Sequence, residues 1–274
     1  MSTGSMEPLW SVFTKPWLDL DGDTLGKLVS GLGFAGAEVP VRDGAFVAPA
    51  AAERELPGFV AAMADHGVEV ISVAADLAES TFAACRAAGV PIIRIMAKLE
   101  AGETYREGVA RIRTDLEAAV PLVAEYGVGV GVQPHHGRFV TSTLGVLDLL
   151  DGLPDTFTVV WDAAHDALAG DDPRVTIPLA AERLSIVNLK QATYVPPEGI
   201  TGNLGGGWHT WFGQAGAGLA DWTAAFAALA TLHFAGPICL TGQYSDTESV
   251  SVEDRLRLDL ASAQEAHGVA VAGR

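Results

Sequence analysis

The sequence predicts an α/β fold, a single-domain (β/α)8 TIM barrel that spans residues 7–274. Two observations indicate this fold. Short apolar runs that are typical of buried strands alternate eight times with helical patterns. Polar side chains follow several of these runs, and catalytic groups gather at such strand ends in parallel barrels. The length of 274 residues fits a barrel, which takes about 250 residues with right-handed crossovers.

The first half of the chain provides four predicted strand–helix units. The strands lie at residues 9–13, 36–40, 68–73 and 91–96. Helical patterns follow at residues 23–32, 53–66, 78–88 and 103–126. Asp23 is expected to cap the first helix, and Gly89 is expected to end the third.

The second half begins with a strand within residues 128–133, whose valines and glycines indicate burial on both faces. The remaining strands are expected at residues 158–161, 184–189 and 236–241, and the remaining helices at residues 142–150, 175–181, 221–233 and 253–267. A loop at residues 191–220 contains Tyr194, Trp208, Trp211 and Phe212. Loops of this length inside a compact domain are usually functional or disordered, and the aromatic residues favour a function.

A doubly wound open sheet is the alternative fold for this order of elements. That fold would be expected to carry a glycine-rich phosphate-binding turn after its first strand. The segment Thr14-Lys15-Pro16-Trp17 at this place is not such a turn. The sequence therefore favours the barrel.

Composition excludes several classes of function. The formal charge is −17, which opposes binding to nucleic acids and anionic membranes. No apolar run reaches the roughly 18 residues of a membrane span, and the N-terminal residues lack the pattern of a signal peptide. Cys85 and Cys239 are far apart and lack metal-type spacing, so we expect buried, inert thiols in a reducing cytoplasm.

Four strand ends define one candidate site. Their polar residues are Gln133, His135, His136 and Arg138 after strand five, Asp162 and His165 after strand six, Asn188 and Lys190 at strand seven, and Gln243 and Tyr244 after strand eight. Basic residues also follow strand ends, namely Lys15, Arg42, Lys98, Arg138 and Lys190. In so acidic a chain, this clustering indicates a pocket for oxyanions, hydroxyls or a carboxylate, unless it reflects only the frequency of basic residues in loops.

At these residues the chain resembles the xylose isomerase-like barrels, the sugar phosphate isomerase/epimerase family, which shares its fold with endonuclease IV. The matching phrases are GFAGAEVPVR, QPHHG, WDAAH, VNLK, FGQAGAGLADW and LTGQYSD. They occur in the expected order and cover nearly the whole chain. An endonuclease is not expected, because a trinuclear metal site needs more histidines and carboxylates than these strand ends supply.

The resemblance implies one divalent metal ion (Mn, Mg or Zn) held by glutamate, aspartate, histidine and glutamate from strands five to eight. In this chain those positions are Gln133, Asp162, Asn188 and Gln243. Three of the four ligands are replaced, and amide oxygens are neutral ligands that bind hard cations less strongly than carboxylates. We therefore expect a metal that is bound weakly or not at all.

The same replacements change the acid–base chemistry that the resemblance implies. Glutamine cannot accept a proton at neutral pH, so the two-glutamate proton relay of the family is excluded. The general base would be His165, His135 or His136, and His135 is preferred to His136 because the family often has a histidine at that position. Lys190 would polarise a carbonyl group, and imine formation by Lys190 would require an apolar surrounding. Asp162 would orient the substrate or ligate the metal.

Further residues are expected to bind the substrate. They are Lys15, Glu38, Arg42, His136, Arg138, Trp208, Trp211 and Tyr244. The cluster of Trp208, His209 and Trp211 could form a lid on a sugar ring or a contact between subunits of a homo-oligomer.

The leading hypothesis is a cytoplasmic isomerase or epimerase that acts on a polyol, a keto-sugar or another polyhydroxylated carbonyl compound by proton transfer next to the carbonyl. A lyase or dehydratase using the same enolate is the second enzymatic interpretation. A carbohydrate-binding barrel without catalytic activity is the non-enzymatic one.

Overall fold

The structure, a computed structural model, describes residues 7–196 and 207–273 of the chain. The barrel strands are β1 (Trp10–Phe13), β2 (Gly36–Pro40), β3 (Glu69–Ala74), β4 (Ile92–Met96), β5 (Gly129–Gln133), β6 (Phe157–Asp162), β7 (Leu184–Leu189) and β10 (Ile238–Leu240). Two further strands, β8 (Gln191–Val195) and β9 (His209–Gly213), form a separate antiparallel hairpin. Residues 197–206 of the predicted loop, and residue 274 of the predicted domain, lie outside the described residues.

The barrel is closed and its eight strands are all parallel. Their order around the ring is β1, β10, β7, β6, β5, β4, β3 and β2. Closure is visible at β1, where Trp10 lies opposite Ile238 of β10 and Ser11 lies opposite Gly36 of β2. The predicted (β/α)8 barrel is therefore confirmed, and the open sheet is excluded. Each barrel strand agrees with its predicted segment to within two residues at either end.

Helices cover the outside of the barrel. Within the described residues they are α1 (Gly22–Gly31), α2 (Ala52–Ala64), α3 (Glu79–Ala88), α4 (Tyr105–Tyr126), α5 (Thr143–Leu150), α6 (Ala163–Ala169), α7 (Pro173–Ala180), α8 (Trp222–Thr231) and α9 (Val252–Ala272). Gly89 ends α3 with a φ of 74°, as predicted. The predicted cap of α1 is wrong, because the carboxylate of Asp21 accepts the hydrogen bond from the Thr24 N–H at 2.8 Å, whereas Asp23 lies inside the helix.

The interior of the barrel is layered. Side chains alternate between the two faces of a strand, so Val160 and Asp162 of β6 share the inner face. A small apolar cluster that includes Val160, Ile186 and Cys239 fills the lower interior, and it is separate from the larger core between strands and helices. Polar side chains from the next inward positions, including Asp162, lie above this cluster toward the carboxyl ends of the strands.

None of the helices in the described residues combines the length and the apolar character that a membrane span requires.

Candidate active site

A polar cavity of ≈ 70 Å³ opens at the carboxyl ends of the barrel strands. It is lined by Phe13, Lys15, Arg42, Arg94, Met96, Gln133, His135, Asn188, Lys190, Thr241 and Gln243. Seven of these residues were predicted site residues: Lys15, Arg42, Gln133, His135, Asn188, Lys190 and Gln243. They come from strand ends around the whole ring, because parallel strands bring their carboxyl ends to one rim.

Asp162 lies directly behind the lining of this cavity and is fully buried. Its Oδ1 accepts hydrogen bonds from the backbone N–H groups of Ala164 and His165, both at 3.0 Å, and so caps α6. Its Oδ2 accepts a hydrogen bond of 2.7 Å from Nε2 of Gln133. The carboxylate therefore stabilises the turn that carries His165 and fixes the orientation of the Gln133 amide.

Lys190 is a buried cation at this cavity, and only 5% of its surface is exposed. Its Nζ donates a hydrogen bond of 2.8 Å to Nε2 of His165 and a longer one of 3.4 Å to Oε1 of Gln243. Oδ2 of Asp162 lies 3.7 Å from Nζ, an ion pair that is too long for a hydrogen bond. Gly242, with a φ of 59°, allows the turn that presents Gln243 to this ammonium group.

The surroundings of Lys190 bear on its charge. Burial lowers the pKa of the ammonium group, and the nearby positive charges of Arg94 and Lys15 lower it further, while Asp162 opposes the change. The ring of Phe212 adds a cation–π contact at 5.0 Å. Lys190 is thus a desolvated amine held among a carboxylate, an imidazole and an amide.

His135, His136 and His165 form a stacked group beside the cavity, with centroid distances of 4.0 Å between His135 and His165 and 4.7 Å between His135 and His136. The Nδ1 of His135 lies 2.8 Å from the carbonyl oxygen of His136, so Nδ1 carries the ring proton and Nε2 of His135 holds the free lone pair. His165 lies between two donors, because its Nε2 faces the Lys190 ammonium group at 2.8 Å and its Nδ1 faces the backbone N–H of His136 at 3.4 Å and Nδ1 of His136 at 3.3 Å.

Desolvation keeps these imidazoles neutral. Burial and the neighbouring Lys190 lower the pKa of His165 far below its usual range. Burial lowers the pKa of His135 to about 4, and burial followed by Lys190 lowers the pKa of His136. His165 is completely buried, whereas His135 reaches the cavity. His135 is therefore the neutral imidazole that a bound molecule can contact.

The four predicted metal-ligand positions do not fit a divalent ion. Asp162 is the single carboxylate among them, and both of its oxygens already accept hydrogen bonds. The Lys190 ammonium group lies between Asp162 and Gln243. Gln133, Asn188 and Gln243 offer only neutral amide oxygens, which compensate poorly for the positive charges around them.

The three imidazoles could hold a metal ion in another way. Nitrogen atoms of His135, His136 and His165 all lie within 4.8 Å of one another, a spacing that is open to a transition metal such as zinc. Such an ion would lie beside the cavity, outside the set formed by Gln133, Asp162, Asn188 and Gln243.

Glu38 was predicted to bind the substrate, but its carboxylate is occupied inside the barrel. It forms a salt bridge with Arg94, whose Nε lies 3.1 Å from each carboxylate oxygen, and it accepts a hydrogen bond of 2.9 Å from Ser72. Glu38 is 1% exposed and does not line the cavity. Its role in this structure is to hold Arg94, which does line the cavity. Arg94 is not among the site residues that the sequence predicted.

Arg138 and Tyr244, both predicted to bind the substrate, also lie away from the cavity. Arg138 donates a hydrogen bond of 2.5 Å to the carbonyl oxygen of Glu100 on the neighbouring loop. The hydroxyl of Tyr244 donates to Asp259 of α9 at 2.8 Å. Both side chains therefore connect segments of the barrel surface. The position of the preceding strand does not determine where a side chain in the following loop points.

The aromatic residues of the predicted loop belong to the β8–β9 hairpin. Trp208 is 60% exposed and Trp211 is half-buried, and neither lines the cavity. Phe212 of the same hairpin contacts Lys190 and lies 5.9 Å from the ring of His136. Among the aromatic residues of the hairpin, Phe212, a neighbour of the predicted Trp211, is thus the one that lies next to the candidate site.

Several buried polar atoms around the cavity make no hydrogen bond. They are Oε1 of Gln133, Oδ1 of Asn188, Oγ1 of Thr241 and Nε of Arg42. Buried polar groups in proteins almost always have a partner, and leaving one without a partner is costly. Four such atoms around one small cavity leave it with free hydrogen-bonding capacity for polar groups.

The sequence matches the model of the family described as xylose isomerase-like TIM barrel over residues 27–264. None of the curated protein sequences matches the chain.

Solved structures share the fold over almost their entire length. D-allulose 3-epimerase from Methylomonas sp. is 13% identical, with a TM-score of 0.70 over 94% of this chain and 98% of that one. The IOLI protein with a bound zinc atom is 14% identical, with a TM-score of 0.73 over 96% and 98%. The 3-keto-D-glucoside 4-epimerase YcjR from E. coli is 13% identical, with a TM-score of 0.69 over 94% and 100%. At these identities, the likeness establishes the fold.

Proposed function

Because the chain belongs to the xylose isomerase-like TIM barrel family, we propose that it is an isomerase or epimerase of a keto-sugar or a related polyhydroxylated carbonyl compound. Proton transfer next to the carbonyl is the proposed chemistry. Epimerases of ketoses and keto-glucosides share the fold, which agrees with this substrate class.

The observation that carries the proposal is the arrangement of polar groups around the cavity. The unpaired amide oxygens of Gln133 and Asn188 would accept hydrogen bonds from substrate hydroxyls, and the Arg42 Nε would donate one. Lys190 would donate to the carbonyl oxygen. These groups match a molecule that carries a carbonyl and several hydroxyls.

Lys190 supplies the electrostatic part of the mechanism. As an ammonium group it polarises the substrate carbonyl, which acidifies the adjacent C–H, and it stabilises the negative charge that develops on oxygen in the enolate. The interaction is strong because the site is desolvated, and Asp162 and His165 hold the amine in place. Lys190 thereby polarises the carbonyl group in place of a divalent ion, which the side chains at the four predicted ligand positions do not fit.

His135 is the proposed base. Its Nε2 is unprotonated, as the hydrogen bond of Nδ1 requires, and the ring lines the cavity. His165, the other candidate for this role, is fully buried and accepts from Lys190, so it acts as a positioning residue. A single exposed base can move a proton between adjacent carbons on one face of an enediol, which favours isomerisation, whereas epimerisation needs a group on each face.

Solvent deuterium exchange tests this proposal. Incubation with a panel of ketoses and aldoses in deuterated water should place deuterium next to the carbonyl of at least one sugar, detected by NMR and mass spectrometry. Lys190→Met should abolish the exchange, and His135→Gln should slow it by about 10²- to 10⁴-fold. His66→Gln, a substitution in the turn after α2 at a residue that does not line the cavity, is the matched control that should keep the wild-type rate.

Two further outcomes would change the proposal. Treatment with EDTA should leave the rate unchanged, and a loss that zinc restores would place a metal in the reaction. Absence of both deuterium and an isomerised sugar across the whole panel would remove the isomerase, because a single shielded base can return the abstracted proton without exchange. Mass spectrometry of the products separates the lyase, because elimination lowers the substrate mass by one water or one substituent.

A further inference from the structure

Two positive charges in the cavity lack a negative partner. Arg94 is paired with Glu38, and Lys190 is paired with Asp162. Across the described residues, neither Lys15 nor Arg42 forms a salt bridge, although the chain has 34 acidic and only 17 basic residues. In a protein with a twofold excess of acidic residues, two unpaired cations side by side require an explanation.

The local environment disfavours the charge of Arg42 more than that of Lys15, because Arg42 is half-buried and Lys15 is exposed at the rim. The Nε of Arg42 is buried and makes no hydrogen bond. Burial, followed by the charges of Arg42 and Arg94, lowers the pKa of Lys15. Burial followed by Arg94 lowers the pKa of Arg42, and the Glu38 carboxylate, which is paired with Arg94, opposes this change only in part. A bound anion would reduce the repulsion among these positive charges and accept a hydrogen bond from the Nε of Arg42.

The position of the pair relative to the reacting groups is also informative. Lys15 follows β1 and Arg42 follows β2, and these strands are adjacent in the barrel. Around the ring, β2 lies opposite β6, and β1 lies opposite β5. Lys15 and Arg42 therefore face Gln133 and His135 across the cavity that all four residues line.

We propose that Lys15 and Arg42 form a subsite for a negatively charged group of the substrate, a carboxylate or a phosphate. The inference rests on the proposed function, and it makes the substrate an anionic sugar whose charged end binds at β1 and β2 while its carbonyl end binds at Lys190. Guanidinium and ammonium groups bind both anions through charge-assisted hydrogen bonds. Where the family is expected to hold a cation, this cavity is built for an anion.

A matched set of ligands tests the subsite by calorimetry. D-fructose, D-fructuronate and D-fructose 6-phosphate share one carbon skeleton and differ in charge at one end. At least one of the two anions should bind roughly tenfold to a hundredfold more tightly than D-fructose, as one or two charge-assisted hydrogen bonds would give. The stronger of the two identifies the carboxylate or the phosphate as the preferred group.

Variants connect the binding to the two residues. Arg42→Met and Lys15→Met should each remove the preference for the anion, and Lys98→Met should retain it, because Lys98 is an exposed lysine of the same rim that is paired with Glu100. An equal preference in all three variants, or no preference in the wild type, would overturn the subsite.

A second measurement needs no sugar. In low-salt buffer without phosphate or carboxylate ions, Arg42→Met should raise the melting temperature, because it removes repulsion between like charges, and Lys98→Met should not. Inorganic phosphate or acetate, compared with chloride at equal ionic strength, should raise the melting temperature of the wild type but not of Arg42→Met. Unchanged melting in both comparisons contradicts the proposal.

The outcomes separate the subsite from the proposed function. Anion binding at Lys15 and Arg42, with neither deuterium exchange nor an isomerised sugar, keeps the subsite and removes the isomerase. Exchange of neutral sugars without any effect of anions keeps the isomerase and removes the subsite.

Discussion

At the scale of single residues, Glu38 and Arg94 form a buried pair of opposite charges at the cavity. Their side chains are 1% and 6% exposed, and Ser72 completes the hydrogen bonding of the carboxylate. Burying two charges costs solvation, which their mutual attraction offsets only while both are present. The pair thus keeps Arg94 at the cavity without leaving an uncompensated charge inside the barrel.

We expect Glu38→Gln to destabilise the protein by about 3–5 kcal/mol, because it leaves the Arg94 guanidinium buried without a counter-charge. Urea denaturation followed by circular dichroism measures this as a lower midpoint at an unchanged slope. Arg257→Gln, which breaks an exposed pair with Asp254, is the control and should cost less than about 1 kcal/mol. An equally small effect of Glu38→Gln would show that solvent reaches the buried pair.

The residues of the candidate site could be predicted to the extent that strands determine them. Asp162, Asn188 and Lys190 lie on or next to strands, and parallel pairing brings their side chains to one rim. Arg138 and Tyr244 lie in loops, whose side-chain directions depend on contacts with Glu100 and Asp259 that no local pattern contains. Salt bridges also join residues that are far apart in the sequence. The pairing of Glu38 with Arg94 therefore could not be predicted before the fold was known.

At the scale of elements, the longest outer helix shows how local sequence fixes a boundary. Thr104 caps α4 by accepting a hydrogen bond from the Glu107 N–H at 3.3 Å, and the Glu107 carboxylate accepts one from the Thr104 N–H at 2.9 Å. This reciprocal arrangement satisfies two of the N–H groups that a helix start leaves free. Gly127, with a φ of 66°, ends the helix at its other side.

Thr104→Ala should therefore destabilise the protein by about 1 kcal/mol, within the range of measured N-cap losses. Thr114→Ala, in the exposed middle of the same helix, removes only a hydroxyl bonded to the Ala110 carbonyl and should change stability by less than about 0.5 kcal/mol. Parallel urea titrations compare the two variants. Equal losses would mean that the cap does not contribute to the stability of α4.

The sequence did not predict the β8–β9 hairpin or helix α6, for different physical reasons. The β8–β9 hairpin lies in a stretch rich in glycine, and its strands find each other across residues 197–206, too far apart for a hairpin signal from a short turn. Helix α6 has seven residues, and its cap is Asp162, which sequence reasoning had assigned to the site. Asp162 ends a strand, caps a helix and faces Lys190. The sequence alone could not show that one residue has all three roles.

At the scale of the whole molecule, the two cysteines lie on opposite sides of the barrel wall. Cys85 belongs to α3 and packs in the core between helices and strands, whereas Cys239 of β10 lies in the cluster inside the barrel. Burial raises the pKa of Cys85 to about 12, and burial together with Glu38 raises the pKa of Cys239. Both groups therefore remain protonated thiols at pH 8, and thiolates are the reactive form.

We expect a thiol-reactive disulfide reagent at pH 8 to modify neither cysteine in the folded protein and both after unfolding in guanidinium chloride. Ser30→Cys, an exposed position on α1, should react at once and serves as the positive control. Because a closed barrel has no free edge at which a single strand can separate, Cys85 and Cys239 should become reactive together as denaturant is added. Earlier reaction of Cys239 would instead show that the three-residue strand β10 opens locally, and with it the rim that carries Gln243.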